Sequence, residues 1–222
     1  DFPNTLNMPF RVGGGGYAEI RPFMALAEKL GVLHNALAGG PIKHVDVEVQ
    51  GDAVSELVRA IAAGILKGLV DEKVDFPINY INAPVVAAEN GISITQAMGI
   101  HGLDYPNLIT CRVEWDGGER TLSGVLFGGS EPRIVQVDEY QLDARPEGVV
   151  LILRNLDVPG VIGRIGSMMG EYQINIGEYR FGRDRPGGDA ISFINLDSEP
   201  PQEVLDKLAE TDGVIGVKLV TL

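Results

Sequence analysis

The chain has 222 residues, 45% of them hydrophobic and 22% charged, which is the composition of an ordinary folded protein with one or two domains. A formal charge of −13 argues against a nucleic-acid surface or docking to anionic lipid, so an anionic ligand needs a local basic site. The single cysteine, Cys111, excludes an internal disulfide and a cysteine-rich metal site, and we expect it in the core.

The apolar stretches and the first residues of the chain predict its location and its relation to a longer protein. No stretch approaches the roughly 20 apolar residues of a membrane span, and no signal peptide is recognisable, which predicts a cytoplasmic protein without a membrane partner. The sequence begins at Asp1 rather than at methionine, so we expect a piece or a processed product of a longer protein. Residues 1–16, with two prolines and the glycine run 13–16, predict an inter-domain connection with a hinge rather than a phosphate loop.

Residues 17–146 are predicted to form a first domain in which helices pack on one face of a mixed sheet. Apolar spacing and hairpin signals predict helices over 17–33, 54–70 and part of 75–91, a strand over 42–50, and strand pairs 108–115 with 119–127 and 133–137 with 140–143. The alternation in the strand over 42–50 places its valines inward and His44 in solvent. Small residues between 60 and 68 indicate close helix packing.

Residues 147–222 are predicted to form a second domain with the element order βαββαβ, which is the ferredoxin-like arrangement. Its predicted elements are strands over 149–154, 174–183, 189–197 and 214–222, and helices over 160–172 and 201–211. The first of these helices is expected to bury Val161, Ile165, Met168 and Tyr172. The whole chain is therefore predicted to be α+β.

The corner that follows the first strand of this second domain is the first candidate site. An apolar run ends there in Asn155 and Asp157, and a helix is predicted to begin at once. Pro159 is expected to set φ in the first helical turn, Gly160 to let a ligand or a second chain approach the backbone, and free N–H groups to attract anions. A small charged ligand is one interpretation, and a helix start merely tightened by proline and glycine is the other.

Two resemblances cover almost the whole chain. Residues 155–161 and the later Ile174-Asn175-Ile176 resemble the signature of the ACT domain, a small regulatory module that binds amino acids. Residues 17–31, 82–89, 123–128 and 133–136 resemble the intervening, allosteric-substrate-binding domain of the long-form D-3-phosphoglycerate dehydrogenase family.

The resemblance implies a regulatory part of an NAD-dependent oxidoreductase that oxidises 3-phosphoglycerate in L-serine biosynthesis. The family's nucleotide-binding Gly-x-Gly-x-x-Gly, its active-site His-Glu pair and its arginine are not found in this sequence. We therefore expect this chain to be catalytically silent and to hold no cofactor itself, with NAD bound by the parent enzyme.

For the ACT domain, the resemblance implies that L-serine binds between paired domains as a feedback inhibitor. The implied site residues are Asn155, Asp157, Pro159, Gly160, Val161 and Asn175. An amino acid presents an ammonium and a carboxylate, which need an acidic acceptor, amide groups and exposed N–H donors. We expect Asp157 to bind the ammonium, and a second copy of the chain to complete the site.

For the first domain, the resemblance implies an anion site for phosphate or a phosphorylated hydroxy acid. Arg133 and Arg145 are its implied basic residues, and Gln141 stands where a family member has histidine. An arginine fork matches phosphate geometry, although two solvated arginines on a hairpin remain the alternative. His34, His44 and His101 have no partners at metal-ligand spacing, and we predict no metal site for them.

Two other functions stay open. Iron–sulfur L-serine dehydratases combine related domains in a beta chain of similar length, but the serine-rich N-terminal motif of that chain is not found here. The second open function is a stand-alone amino-acid sensor that acts through protein contacts. Whether the natural reading frame continues upstream into a dinucleotide-binding domain distinguishes these possibilities.

Overall fold

The computed structural model describes residues 17–99 and 105–222. The chain separates into two compact units, which divide after Arg133. The predicted connection of residues 1–16 and the residue His101 lie outside the described residues. The predicted domain boundary between residues 146 and 147 lies later in the chain and stays a prediction.

The first unit contains the long helices and the mixed sheet. Its elements are α1 (Tyr17–Leu37), β1 (Ile42–Gln50), α2 (Asp52–Ser55), α3 (Val58–Val70), α4 (Ala83–Glu89), β2 (Ser93–Met98), β3 (Leu108–Trp115), β4 (Gly118–Phe127) and the start of β5 (Glu131–Val137). The single helix predicted over 54–70 is instead two helices, because the chain turns at Glu56 and Leu57. The strand β2 was not predicted.

The sheet of the first unit has the order β2-β1-β3-β4, and β5 follows β4. β1 pairs in parallel with β2 and antiparallel with β3, which confirms the predicted mixed sheet. The inward valines of β1 are buried, as is Cys111, as predicted. His44 is half-buried rather than solvent-facing, because β2 lies beside it and Ser93 bonds its ring.

Helices α1 and α3 cross closely on one face of this sheet. A Cβ atom on Gly68 would overlap the carbonyl oxygen of Glu28, and one on Gly31 would overlap that of Ile65. Lys67 on α3 donates to Glu28 on α1 across 2.5 Å, and this ion pair lies beside the crossing. The close helix packing predicted from the small residues is confirmed.

The second unit has the predicted βαββαβ order. After the rest of β5, its elements are β6 (Tyr140–Ala144), β7 (Val149–Leu156), α5 (Val161–Glu171), β8 (Ile176–Arg183), β9 (Asp189–Leu196), α6 (Gln202–Ala209) and β10 (Val214–Thr221). Four of the strands form an antiparallel sheet of order β10-β7-β9-β8. With the mixed sheet of the first unit, this confirms the α+β class.

The core of the second unit lies between this sheet and the helices α5 and α6. Leu151 and Leu153 from β7 meet Val161 and Ile165 from α5 there. The expected burial of Met168 and Tyr172 is wrong. Met169 follows Ile165 at the i+4 position and takes the buried place, while Met168 and Tyr172 are only partly buried and pack at the margin of the core. Among the helices of residues 17–99 and 105–222, none combines the length with the apolar character that a membrane span requires.

Candidate functional site

The corner after β7 is held by the turns on either side of it. The Leu156 N–H donates to the carbonyl of Gly213 at 2.8 Å, and the Asp157 N–H donates to the carbonyl of Gly188, also at 2.8 Å. Gly213 belongs to the turn before β10, and Gly188 to the turn between β8 and β9. These bonds fix the backbone from which the Asp157 side chain projects.

The helix α5 begins one residue later than predicted. Gly160 has φ +94°, a left-handed conformation that favours glycine. Because this φ is not helical, Gly160 is the N-cap, and Val161 is the first helical residue. Pro159 thus lies outside the helix and does not set φ in its first turn. Val161 donates only a long bond, of 3.4 Å, to the carbonyl of Val158.

Asp157 is the acidic group at this corner. Its Oδ2 atom accepts from Arg183 Nη1 at 2.7 Å and from the Gly187 N–H at 3.2 Å. The Arg183 guanidinium first, and the Gly187 N–H second, hold the pKa of the Asp157 carboxyl below its ordinary value. Its side chain is 20% exposed, and within the described residues no donor bonds to Oδ1. The carboxylate is therefore ionised near neutral pH and open on one side.

Asn155 lies beneath this corner rather than in it. It is completely buried, accepts from Ser192 Oγ at 2.9 Å and donates to the Leu156 carbonyl at 3.0 Å. Ser192 also bonds to the Tyr179 hydroxyl at 2.8 Å, and burial raises the pKa of Tyr179. The Asn155 amide thus positions the end of β7 as part of a buried polar chain.

Asn175 lies at the other end of the sheet. Its amide donates to Asp197 at 2.7 Å, where β8 begins beside the end of β9. Leu156, next to Asp157, pairs with Asp189, whereas Ile176, next to Asn175, pairs with Leu196. Seven residues of β9 separate these pairs, which at the usual rise in a strand is about 23 Å. Within one chain, Asp157 and Asn175 do not converge.

The residues of the predicted anion site have separate surroundings. Arg133, in the first unit, is largely buried, donates to Glu131 at 3.0 Å and lies over the ring of Phe127 at 5.6 Å. In the second unit, Gln141 is exposed, and Arg145 has Nη1 4.0 Å from the carboxylate of Glu147. The Arg133 guanidinium is therefore already paired with a carboxylate.

A polar hollow of about 290 Å³ lies on the open face of the first unit's sheet, lined in part by Asp46, Glu48 and Arg112. Arg112 donates to Asp46 at 2.8 Å, and His44 bonds the same carboxylate at 3.0 Å. Partial burial opposes ionisation of Asp46, but these partners hold its pKa below the ordinary value. The hollow's charged side chains are thus mostly paired with one another, and no group of His, Cys, Asp and Glu among residues 17–99 and 105–222 could hold a metal ion.

Sequence reasoning missed Arg183, although it is the group nearest to the acidic centre of the corner. It also missed an apolar margin around the corner, where Leu156, Val158, Ile162 and Ile215 are each between 39% and 49% exposed. The sequence offered one sign of the role of Arg183, which is an arginine at the end of a predicted strand followed by the turn signal Pro186-Gly187-Gly188.

An antiparallel sheet of order β10-β7-β9-β8 with two helices packed on it defines the class of small ferredoxin-like α+β domains. Residues 149–213 match the family described as ACT domain, and residues 19–138 match the D-3-phosphoglycerate dehydrogenase intervening domain. The chain belongs to the D-3-phosphoglycerate dehydrogenase intervening-domain family and also contains an ACT domain. The predicted resemblance is confirmed.

Curated relatives agree with this assignment. D-3-phosphoglycerate dehydrogenase of Methanocaldococcus jannaschii is 32% identical over 99% of this chain and 41% of its own length. The enzymes so named from Archaeoglobus fulgidus and a Synechocystis species are 34% and 33% identical, over 99% and 92% of this chain and 42% and 37% of their own. This chain thus spans about two fifths of the length of these relatives.

Among solved structures, a homoserine dehydrogenase from Thiobacillus denitrificans aligns with 76% of this chain and 54% of its own, at 12% identity and a TM-score of 0.26. That likeness is too weak to support any conclusion.

Proposed function

We propose that this chain is a regulatory part of a D-3-phosphoglycerate dehydrogenase and that its ACT domain binds L-serine. The bound amino acid then inhibits an NAD-dependent dehydrogenase domain elsewhere in the same protein. Membership of the intervening-domain family and the names of the curated relatives support the parent enzyme. The ionised, half-open carboxylate of Asp157 supports an ammonium-bearing ligand.

The observation that carries the proposal is the separation of Asp157 and Asn175 along the sheet. Their strand pairs are about 23 Å apart in one chain, too far for both to touch one small amino acid. A site that uses both residues must therefore take one from each of two copies.

Pairing of two β8 edges provides such an arrangement. β8 is an outer strand of the sheet, so its outward backbone groups can pair with another strand. In a two-fold, antiparallel pairing, the start of one β8 lies beside the end of the other. The Asn175 of the partner subunit then approaches the corner that carries Asp157, and the dimer contains two equivalent sites.

Pairing through the opposite edge, β10, does not produce this site. Asp157 follows β7, which is next to β10, but Asn175 precedes β8, on the far edge of the same sheet. Two β10 strands at the centre of a joined sheet would leave each β8 at an outer edge. The location of Asn175 therefore favours β8.

Inhibition requires only a modest energetic link between the two functions. Coupling free energies of about 1–3 kcal/mol change affinity about 5- to 150-fold. L-serine that binds only the paired form of the ACT domain would shift the protein toward that form. The anion site formed by Arg133, Gln141 and Arg145, for phosphate or a phosphorylated substrate, stays a prediction.

Titration calorimetry with L-serine tests the proposal. The chain is expected to bind about one L-serine per copy, as a dimer with two sites requires. Asp157→Ala is expected to weaken binding at least about tenfold, because a charged hydrogen bond to the ammonium is lost. Glu210→Ala removes an exposed carboxylate at the end of α6 and is the matched control, expected to bind as the unaltered chain does. A folded dimer that binds no L-serine, or an Asp157→Ala variant that binds it equally well, would refute the assignment.

A further inference from the structure

In the ion pair between Asp157 and Arg183, both residues have hydrogen-bonding groups that no described residue uses. Arg183 donates through Nη1 to Asp157 Oδ2, and within the described residues its Nε and Nη2 groups have no acceptor. Asp157 uses Oδ2 for both of its bonds and leaves Oδ1 open. The Arg183 side chain is 49% exposed, so its remaining donors are accessible to a ligand.

We infer that Arg183 is the carboxylate-binding residue of the amino-acid site, so that Asp157 and Arg183 together recognise the zwitterion. This inference rests on the proposed function and adds to it a residue that determines specificity. Asp157 Oδ1 accepts from the ligand's ammonium while Oδ2 stays bonded to Arg183. The unused nitrogens of the guanidinium then donate to the ligand's carboxylate.

Charge balance supports this pairing of roles. Asp157 and Arg183 carry opposite charges, so a zwitterion enters the site without changing its net charge. A ligand with only an ammonium leaves the unused donors of Arg183 without an acceptor, and a ligand with only a carboxylate brings a second negative charge beside Asp157.

The place of Arg183 in the sheet also fits a site between two copies. It is the last residue of β8, and the turn that follows supplies the Gly187 N–H to the same carboxylate. In the antiparallel β8 pairing, the end of one β8 lies beside the start of the other. Asp157 and Arg183 from one copy and Asn175 of the partner subunit therefore surround one ligand.

Calorimetry with three related compounds tests the inference on the unaltered chain. L-serine has both charges, ethanolamine lacks the carboxylate, and L-glycerate, which has the same configuration as L-serine, lacks the ammonium. We expect L-serine to bind at least about tenfold more tightly than either of the others, as loss of one charged hydrogen bond implies. Ethanolamine that binds as tightly as L-serine would overturn the role of Arg183 while leaving an ammonium site in place.

Variants of Arg183 supply the second readout. Arg183→Gln is expected to weaken the binding of L-serine roughly 10- to 100-fold and to leave the binding of ethanolamine nearly unchanged. The variant should therefore lose the preference for L-serine over ethanolamine. Arg183→Lys, which keeps the positive charge, is expected to retain part of the preference for L-serine. The matched control is Arg154→Gln on β7, away from the β8 edge, which removes a similarly exposed arginine paired with Asp189.

The outcomes separate this inference from the proposed function. If the unaltered chain binds no L-serine, the proposed function fails, and the role of Arg183 with it. If the unaltered chain binds L-serine and Arg183→Gln retains the preference for L-serine over ethanolamine, only the role of Arg183 fails. Equal losses of L-serine and ethanolamine in Arg183→Gln would indicate a purely structural role and would equally contradict the inference.

Discussion

His34 is buried without charge inside the first unit, where α1 meets β3. Its Nε2–H donates to the Cys111 carbonyl at 3.0 Å, and Nδ1 has no hydrogen-bond partner in the described part of the chain. Burial, and to a lesser degree the positive charge of Arg120, lower the pKa of His34 to about 3. The residue therefore stays neutral in the folded protein at any pH near neutrality.

This burial predicts a loss of stability in mild acid. The folded pKa lies below the unfolded value, so the stabilisation is complete above about pH 6.5 and is lost as the pH falls toward 3. The loss is about 1.4 kcal/mol per pH unit. Between pH 7 and pH 5, the free energy of unfolding of His34→Gln should therefore fall by about 2 kcal/mol less than that of the unaltered chain.

Denaturant unfolding followed by the fluorescence of Trp115, the single tryptophan, measures this difference in the unit that contains His34. Carboxylates also titrate in this range, so only the difference between the two proteins is informative. Between pH 8 and pH 7 both should change nearly in parallel. Equal losses at pH 5 would show that His34 is not held neutral by burial.

At the corner, residue types could be predicted from the sequence but their partners could not. Asp157 was expected to be the acidic group of the corner, and its carboxylate lies there partly exposed. Its pairing with Arg183 depends on a hairpin that returns 26 residues later, and the burial of Asn155 depends on Ser192 from β9. Neither contact leaves a periodic signal in the sequence.

At the scale of elements, predictions succeeded where one face of a strand or helix is buried. The valines of β1 and the apolar face of α1 are such patterns. β2 was missed because it lies at the edge of its sheet and its side chains are almost all exposed, so it has no buried alternation. The start of α5 was misplaced because the conformation of Gly160 cannot be deduced from its neighbours.

The crossing of α1 and α3 predicts an unusually costly glycine substitution. Gly68→Ala places a methyl group against the backbone of Glu28, which cannot rotate away, so the helices must separate. We expect destabilisation of about 1–3 kcal/mol, as overpacked cores show. Thermal unfolding of the first unit, monitored by Trp115 fluorescence, measures the effect.

The matched control is Gly166→Ala in α5, where a Cβ atom has no neighbour within 4 Å. This substitution should stabilise its helix by about 0.5–1 kcal/mol, because alanine is the better helix former. Calorimetric unfolding of the whole chain measures the stability change of Gly166→Ala. Similar stability changes in the two variants would contradict the close crossing.

At the scale of the whole molecule, the order of elements was largely predictable and the arrangement of functional residues was not. The βαββαβ order follows from local patterns in residues 149–222. The separation of Asp157 from Asn175 depends on strand register, which links residues far apart in the chain. The proposal of a site shared between two copies rests on that separation.

A mixing experiment with two variants tests this shared site most directly. Asp157→Ala and Asn175→Ala should each bind L-serine at least about tenfold more weakly than the unaltered chain, because every site in either homodimer lacks one group. Unfolded together in equal amounts and refolded, they form mixed dimers in which one site lacks both groups and the other is intact. Calorimetry should then find about a quarter as many sites of full affinity as in the unaltered chain, while either variant refolded alone has no site of full affinity. No recovery from well-folded mixed dimers would contradict a site built from two copies.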